Sequence, residues 1–155
     1  MTENLITSRK NALVQKVRRL LSSRKDRLEE GLFVADGTKL LQEAVKWWPG
    51  LQTAVLTPDV QVQLPEQVER VLVSPEIMEY ISPMKTPQGA LFICRMPQMQ
   101  ELTVKPGMLI LDGIQDPGNL GTILRTADAL DVPVVLLEGC ADPFSHKTVR
   151  SSMGA

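Results

Sequence analysis

One stretch of the 155-residue chain combines residue types in a spacing that can do chemistry. It runs Leu111-Asp112-Gly113-Ile114-Gln115-Asp116-Pro117-Gly118-Asn119-Leu120-Gly121-Thr122-Ile123-Leu124-Arg125-Thr126-Ala127. Met108 to Leu111 is an apolar run that reads as a strand. Leu120, Ile123, Leu124, Ala127 and Leu130 recur at the spacing of one helix face. The loop between them leaves the C-terminal end of a strand and opens a helix, which is where open α/β sheets bind ligands. Pro117-Gly118 reads as a tight turn and Asn119 as the helix cap. The first N–H groups of such a helix favour an anion such as phosphate. Gly121 has no side chain and lets a ligand or another backbone approach closely. Arg125 lies off the apolar stripe and is expected to face the same cleft. Singly, each has a plainer reading: a cap, a packing glycine, a surface cation. Together in one strand-loop-helix they point to a site. Neither Gly-x-Gly-x-x-Gly nor Gly-Lys-Ser/Thr is present in this loop, so two familiar nucleotide loops are excluded.

The elements that must position this loop alternate strand and helix, which predicts an α/β layer structure. Leu13, Val14, Val17, Leu20 and Leu21 mark one face of an amphipathic helix. Leu32 to Ala35 reads as a buried strand, and Asp36-Gly37-Thr38 as a turn that can cap the next helix. That helix carries Leu40, Leu41, Ala44, Val45 and Trp48 and stops at Pro49-Gly50. Trp47-Trp48 reads as helix-end packing, with base stacking by an exposed Trp47 as the alternative. Strands follow at Ala54–Leu56, Val71–Val73 and Ala90–Cys94, with a Ser74-capped helix to about Ile81. Residues 95–107 are rich in Pro, Met and Gln and read as a linker. Beyond it, Met108–Leu111 and Val134–Leu137 are continuous apolar runs, as expected of parallel strands covered on both faces.

Composition bounds the rest. The apolar fraction is too high and the net charge of −1 too small for a disordered chain. Two cysteines, Cys94 and Cys140, cannot make a disulfide framework or a four-ligand zinc site, and read as core or half-buried thiols. No metal site is expected, and His146, the single histidine, reads as a loop or cap residue beside Ser145. No apolar run reaches the ~18–20 residues of a membrane span, and Met1–Lys10 lacks the apolar core of a signal peptide. A soluble cytoplasmic protein without membrane contact is expected. The near-zero charge hides an asymmetry: +4 over residues 1–50, −2 over 51–105 and −3 over 106–155. Arg9, Lys10, Lys16, Arg18, Arg19, Arg24, Lys25 and Arg27 all precede residue 28, opposed only by Glu3 and Asp26. Such a run is a solvated helix face or the footprint of an anionic partner such as RNA.

Asp116-Pro117-Gly118-Asn119-Leu120-Gly121-Thr122-Ile123-Leu124-Arg125-Thr126-Ala127 resembles the first motif of the SpoU (TrmH) family of RNA 2′-O-ribose methyltransferases, in the SPOUT superfamily. Ile6-Thr7-Ser8-Arg9-Lys10-Asn11 is similar to the opening of that family's substrate-binding domain. Phe33-Val34-Ala35-Asp36-Gly37 resembles its Phe-x-Val-Glu-Gly segment, with Asp for the usual Glu. Thr86-Pro87-Gln88-Gly89 resembles the end of that domain, and Arg150-Ser151-Ser152-Met153-Gly154-Ala155 the start of the second motif.

The resemblance implies a small ribosomal-protein-like α/β RNA-binding domain over 1–95, a linker over 96–106 and the N-terminal part of a Rossmann-like methyltransferase domain, knotted when complete, over 107–155. It implies methyl transfer from S-adenosylmethionine to a ribose 2′-hydroxyl of rRNA or tRNA, with structured rRNA favoured. Asn119 and Arg125 take the catalytic positions. Guanidinium normally stays charged, so an electrostatic role suits Arg125 better than that of a base. Arg9, Lys10, Asn11, Lys16, Arg18, Arg19, Lys147, Arg150 and Ser152 are the expected RNA contacts, and Gly121 a weak cofactor contact. A homodimer is expected of the complete protein. The third motif is missing from the sequence, so by the resemblance the chain is C-terminally incomplete, leaves an apolar edge and face uncovered, and binds S-adenosylmethionine poorly alone. The competing readings are a catalytically inactive RNA-binding protein and a nucleotide-binding α/β fragment without RNA affinity.

Overall fold

The structure, a computed structural model, describes residues 5–98 and 102–155. Residues 99–101, inside the expected linker, lie outside the described residues. The chain divides into two compact units, residues 1–96 and 97–155.

The first unit is a four-stranded mixed sheet with helices on both faces. Its strands are β1 (Leu32–Asp36), β2 (Leu51–Leu56), β3 (Glu69–Leu72) and β4 (Ala90–Arg95), in the order β1-β4-β2-β3. β4 runs antiparallel to both β1 and β2, while β2 and β3 are parallel. Alternation along the strands divides the core. Leu32, Val34, Val55, Leu91 and Ile93 pack with Val14, Val17 and Leu20 of α1 (Ala12–Ser22) and Ile77, Met78 and Ile81 of α4 (Pro75–Ile81). The alternate residues of β1 and β4, Phe33, Ala35, Phe92 and Cys94, are equally buried, and α3 (Thr38–Trp47) lies against these two strands with Leu41 fully buried. A short helix, α2 (Arg24–Glu30), joins α1 to β1. Ahead of α1, Ile6 pairs with Val73 in a parallel bridge, its N–H donating to Leu72 O at 2.9 Å.

Capping chemistry sets the start of α4 as the sequence suggests and that of α3 differently. Asn11 Oδ1 accepts the Leu13 N–H at 2.9 Å, and Ser74 Oγ accepts the Ile77 N–H at the start of α4. The turn before α3 contains no local cap: Asp36 completes β1 and Gly37 makes no side-chain bond. The Thr38 N–H instead donates to Gln88 Oε1 at 3.2 Å, fifty residues away. Trp48 packs edge-on to Phe33, with ring centroids 6.5 Å apart, and donates from Nε1 to Arg95 O. Trp47 does not pack: it is 77% exposed, so the helix-end reading holds only for Trp48.

The second unit pairs β5 (Leu109–Leu111) in parallel with β6 (Val134–Leu136), linked through α5 (Pro117–Ala129). A last helix, α6 (His146–Ser152), packs on α5. Its strands are not covered on both faces as their apolar runs predict. Leu109 and Ile110 are exposed, as are Leu130 and Leu137. Closest packing comes at Gly121, where a Cβ would sit 2.7 Å from both Ser151 Cβ and Ser152 N. We expect Gly121→Ala to push α6 off α5, destabilising this unit by about 1–3 kcal/mol. Amide exchange in α6 reads it, and unchanged protection there would contradict the packing argument.

Candidate functional site

The sequence places the cap of α5 at Asn119, and the structure moves it to Asp116. Asp116 Oδ1 accepts the Asn119 N–H at 2.7 Å, with Pro117 as the first helical residue. Proline has no N–H to satisfy and a φ suited to that position, so the residue before it becomes the cap. Asn119 is thereby released from capping, and its side-chain amide makes no hydrogen bond among the described residues. The correction also changes the electrostatics. The carboxylate of Asp116 already occupies the positive end of the helix, so a second anion is not favoured there.

Helical geometry then places Asn119, Thr122, Arg125 and Thr126 within about 120° of each other, on the side opposite buried Leu120 and Ala127. All four are exposed. Thr122 and Thr126 return their hydroxyls to Gly118 O and Thr122 O, at 2.9 and 3.0 Å. Arg125 makes no side-chain hydrogen bond or ion pair among the described residues. The face thus carries one amide and one guanidinium with nothing bound to them. Gly121 lies one turn before Arg125, but it is buried and its open side is filled by Ser151 and Ser152. The space that a side chain at Gly121, the expected cofactor contact, would occupy is taken up by helix packing.

The loop 112–116 and the segment after β6 are tied together at the C-terminal ends of the strands. Leu137 N–H donates to Leu111 O at 2.9 Å, Ala141 N–H to Ile114 O at 2.7 Å, and Cys140 Sγ to Leu111 O at 3.4 Å. Ser145 caps α6, and His146, half-buried, is its first residue. Ser151 Oγ reaches Pro117 O at 2.9 Å, joining α6 to the start of α5. Ser152, an expected RNA contact, is buried. Its hydroxyl donates to Val149 O and accepts the Gly154 N–H, so it has an internal role instead. Lys147 is exposed and Arg150 half-buried on the same helix.

Six of the eight cations of the basic run in the first unit separate into three kinds, while Lys25 pairs with Glu29 and Arg24 is exposed. Arg27 is buried, 5% exposed, and donates from Nη1 to Leu20 O and Leu21 O, closing the end of α1 rather than facing solvent. Lys16 and Arg19 converge on Glu30, at 3.4 and 2.6 Å, with Asp26 3.9 Å from Arg19. Arg9, Lys10 and Arg18 are exposed, and none has a carboxylate partner among the described residues. Asn11 is committed to its cap. Sequence reasoning missed Tyr80, whose ring lies under both Arg9 and Arg18, with guanidinium carbons 4.5 and 4.3 Å from its centroid. Arg18 Nη1 also donates to the Tyr80 hydroxyl. As the chain's single tyrosine, set on the partly exposed side of α4, it offered a faint signal.

Cys94 sits inside β4, where burial pushes its thiol up to about 12, the state of a core residue. The Arg19 hydrogen bond, with a smaller contribution from Lys16, holds the Glu30 carboxyl below its ordinary value against a modest opposing effect of burial. A lowered carboxylate stabilises the fold above its unfolded value of about 4.3 and loses that effect as pH falls through the lowered value. Glu30→Gln should therefore lower the Tm at pH 7, and the two proteins should converge as pH drops below about 4. An equal gap at both pH values would count against the ion cluster.

Residues 11–91 match the MRM3-like substrate binding domain and residues 106–155 the SpoU rRNA Methylase family. The chain is 35% identical to the 23S rRNA (guanosine(2553)-2′-O)-methyltransferase RlmP of Bacillus subtilis, covering 97% of this chain and 61% of that protein. It is 34% identical to the mitochondrial rRNA methyltransferase 3 of Xenopus laevis, over 92% of this chain and 37% of that one. An AdoMet-bound rRNA methyltransferase from Sinorhizobium meliloti superposes with a TM-score of 0.80 at 32% identity, covering 97% of this chain and 60% of the other. The chain thus spans about three fifths of the length of relatives such as RlmP. With more than half of its residues matched by the substrate-binding domain and residues 106–155 by the methylase, the chain belongs to the SpoU (TrmH) family of RNA methyltransferases.

Proposed function

We propose that this chain supplies the RNA-gripping domain and the first catalytic motif of a cytoplasmic, S-adenosylmethionine-dependent rRNA 2′-O-ribose methyltransferase. The observation that carries the reading is the exposed face of α5, where the Asn119 amide and Arg125 guanidinium stand uncommitted beside the loop at the strand ends. A ribose 2′-hydroxyl is a weak nucleophile whose oxygen gains negative charge as its proton leaves. A fixed guanidinium stabilises that charge and holds the neighbouring phosphate through two N–H groups. Asn119, with a donor and an acceptor free, orients the ribose or Arg125 itself. Lys147 adds a cation from α6. The donor brings a methyl group on a positively charged sulfur when bound. Gly121, the one position expected to touch it, is covered by α6, so no step through the donor is assigned to these residues.

The family resemblance, the B. subtilis relative's name and the AdoMet-bound neighbour support this reading. Residues 96–106 act in it as the linker between the gripping and catalytic parts. A homodimer through the catalytic domain belongs to the same proposal, supported by exposed Leu109, Ile110, Leu130 and Leu137.

The test is transfer of labelled methyl to rRNA by a protein of the relatives' full length, with the product scored as a linkage resistant to alkali. Arg125→Ala should lower kcat by at least about 100-fold, as loss of an oxyanion-stabilising donor does. Arg125→Lys, which keeps a charge but not the fork, should fall between. Full activity in Arg125→Ala would remove the catalytic assignment.

A further inference from the structure

Arg9 and Arg18 reach Tyr80 from different elements. Arg9 precedes α1, where its carbonyl accepts from Gln15 Nε2 at 2.6 Å and the Ile6–Val73 bridge pins the segment to the sheet edge. Arg18 comes from the middle of α1, and Tyr80 from α4, its ring partly buried against the core. Both guanidinium carbons lie within 4.5 Å of one ring centroid, so two like charges share one ring. Each is drawn to the ring face by cation–π attraction, and each repels the other. No carboxylate among the described residues relieves that repulsion, in contrast to Lys16 and Arg19 on Glu30. A bound anion relieves such repulsion. The Tyr80 oxygen accepts from Arg18, which leaves its O–H to donate.

We propose that Arg9, Arg18 and Tyr80 form one phosphate-gripping unit for RNA, with Tyr80 as the positioning residue that holds both guanidiniums in place. This rests on the RNA-binding reading above and deepens it: the grip belongs to this cluster rather than to the basic run as a whole. Exposed Lys10, beside Arg9 in sequence, adds charge to the same end of α1.

Binding of the 155-residue chain to a fluorescent RNA hairpin, followed by anisotropy across a salt series, tests it. Arg9→Gln and Arg18→Gln should each weaken binding and flatten the slope of log K against log salt by about 1. Tyr80→Leu should flatten it by about as much as losing both cations, because the platform is gone while the charges remain in the chain. Tyr80→Phe keeps the ring and should restore the slope to near the parent value. Lys25→Gln, at a side chain 82% exposed and paired with Glu29, should leave the slope within about 0.3 of the parent, so that net charge alone is controlled. Retained helicity by circular dichroism accompanies each variant. A parent slope in Tyr80→Leu, or equal loss in Lys25→Gln and Arg18→Gln, overturns the unit while RNA binding stands. Failure of the parent chain to bind the hairpin overturns the RNA reading itself.

Discussion

A helix presents a defined face only once its first residue is fixed, and in the second unit Asp116-Pro117 fixes it. Proline admits one φ and brings no N–H, and the aspartate before it takes the Asn119 N–H at 2.7 Å. The phase of α5 follows. Leu120, Gly121 and Ala127 turn inward while Asn119 and Arg125 turn out. The same carboxylate occupies the helix's positive end. An anionic substrate must then be met by a side-chain cation further along, and Arg125 is the one α5 supplies.

Charge in the first unit obeys a comparable division. Eight cations before residue 28 look alike in sequence, yet their surroundings differ. Arg27 is consumed by the carbonyls that end α1, and Glu30 draws Lys16 and Arg19 into a local cluster. Exposed ion pairs contribute little stability, so that cluster matters mainly by cancelling charge on one part of the surface. Of the cations with no carboxylate partner among the described residues, Arg9 and Arg18 are gathered at Tyr80, while Lys10 and Arg24 stand exposed away from the ring. A surface with both neutralised and open cations can favour one orientation of a polyanion, which a uniformly basic run cannot do.

Periodicity and punctuation made much of the architecture legible. Leu13, Val14, Val17, Leu20 and Leu21 gave α1, and Ser74-Pro75 gave the start of α4, because these signals are local. The motif around Asn119 and Arg125 was legible too, through its place between a strand and a helix. What escaped was long-range. Gln88 caps α3 from fifty residues away, and Tyr80 meets Arg9 and Arg18 only after α4 folds beside α1. The burial of Ser152, which the resemblance implied as an RNA contact, is of the same long-range kind, since it depends on the helix that encloses it. The cap at Asp116 is different. It is local, since Asp-Pro marks a helix start, but Pro117-Gly118 equally fits a tight turn, and the two signals compete.

The second unit shows why the Arg150–Ala155 segment bears on Asn119 and Arg125 without touching either. Two short parallel strands with Leu109 and Ile110 exposed give little stability by themselves. Order comes instead from α6 against α5, and that contact is built from small and hydroxyl residues. Thr148 is fully buried with its hydroxyl on Asp142 O at 2.9 Å, Ser151 reaches Pro117 O, and Ser152 closes its own turn. Every one of these buried hydroxyls is satisfied, so close approach at Gly121 costs no unpaired polar group. Hydroxyl bonds are also directional, whereas leucines in the same places would fit several registers. Ser151 on Pro117 therefore pins α6 to the first turn of α5. The outward set of Asn119 and Arg125 is held in place from its flank by α6.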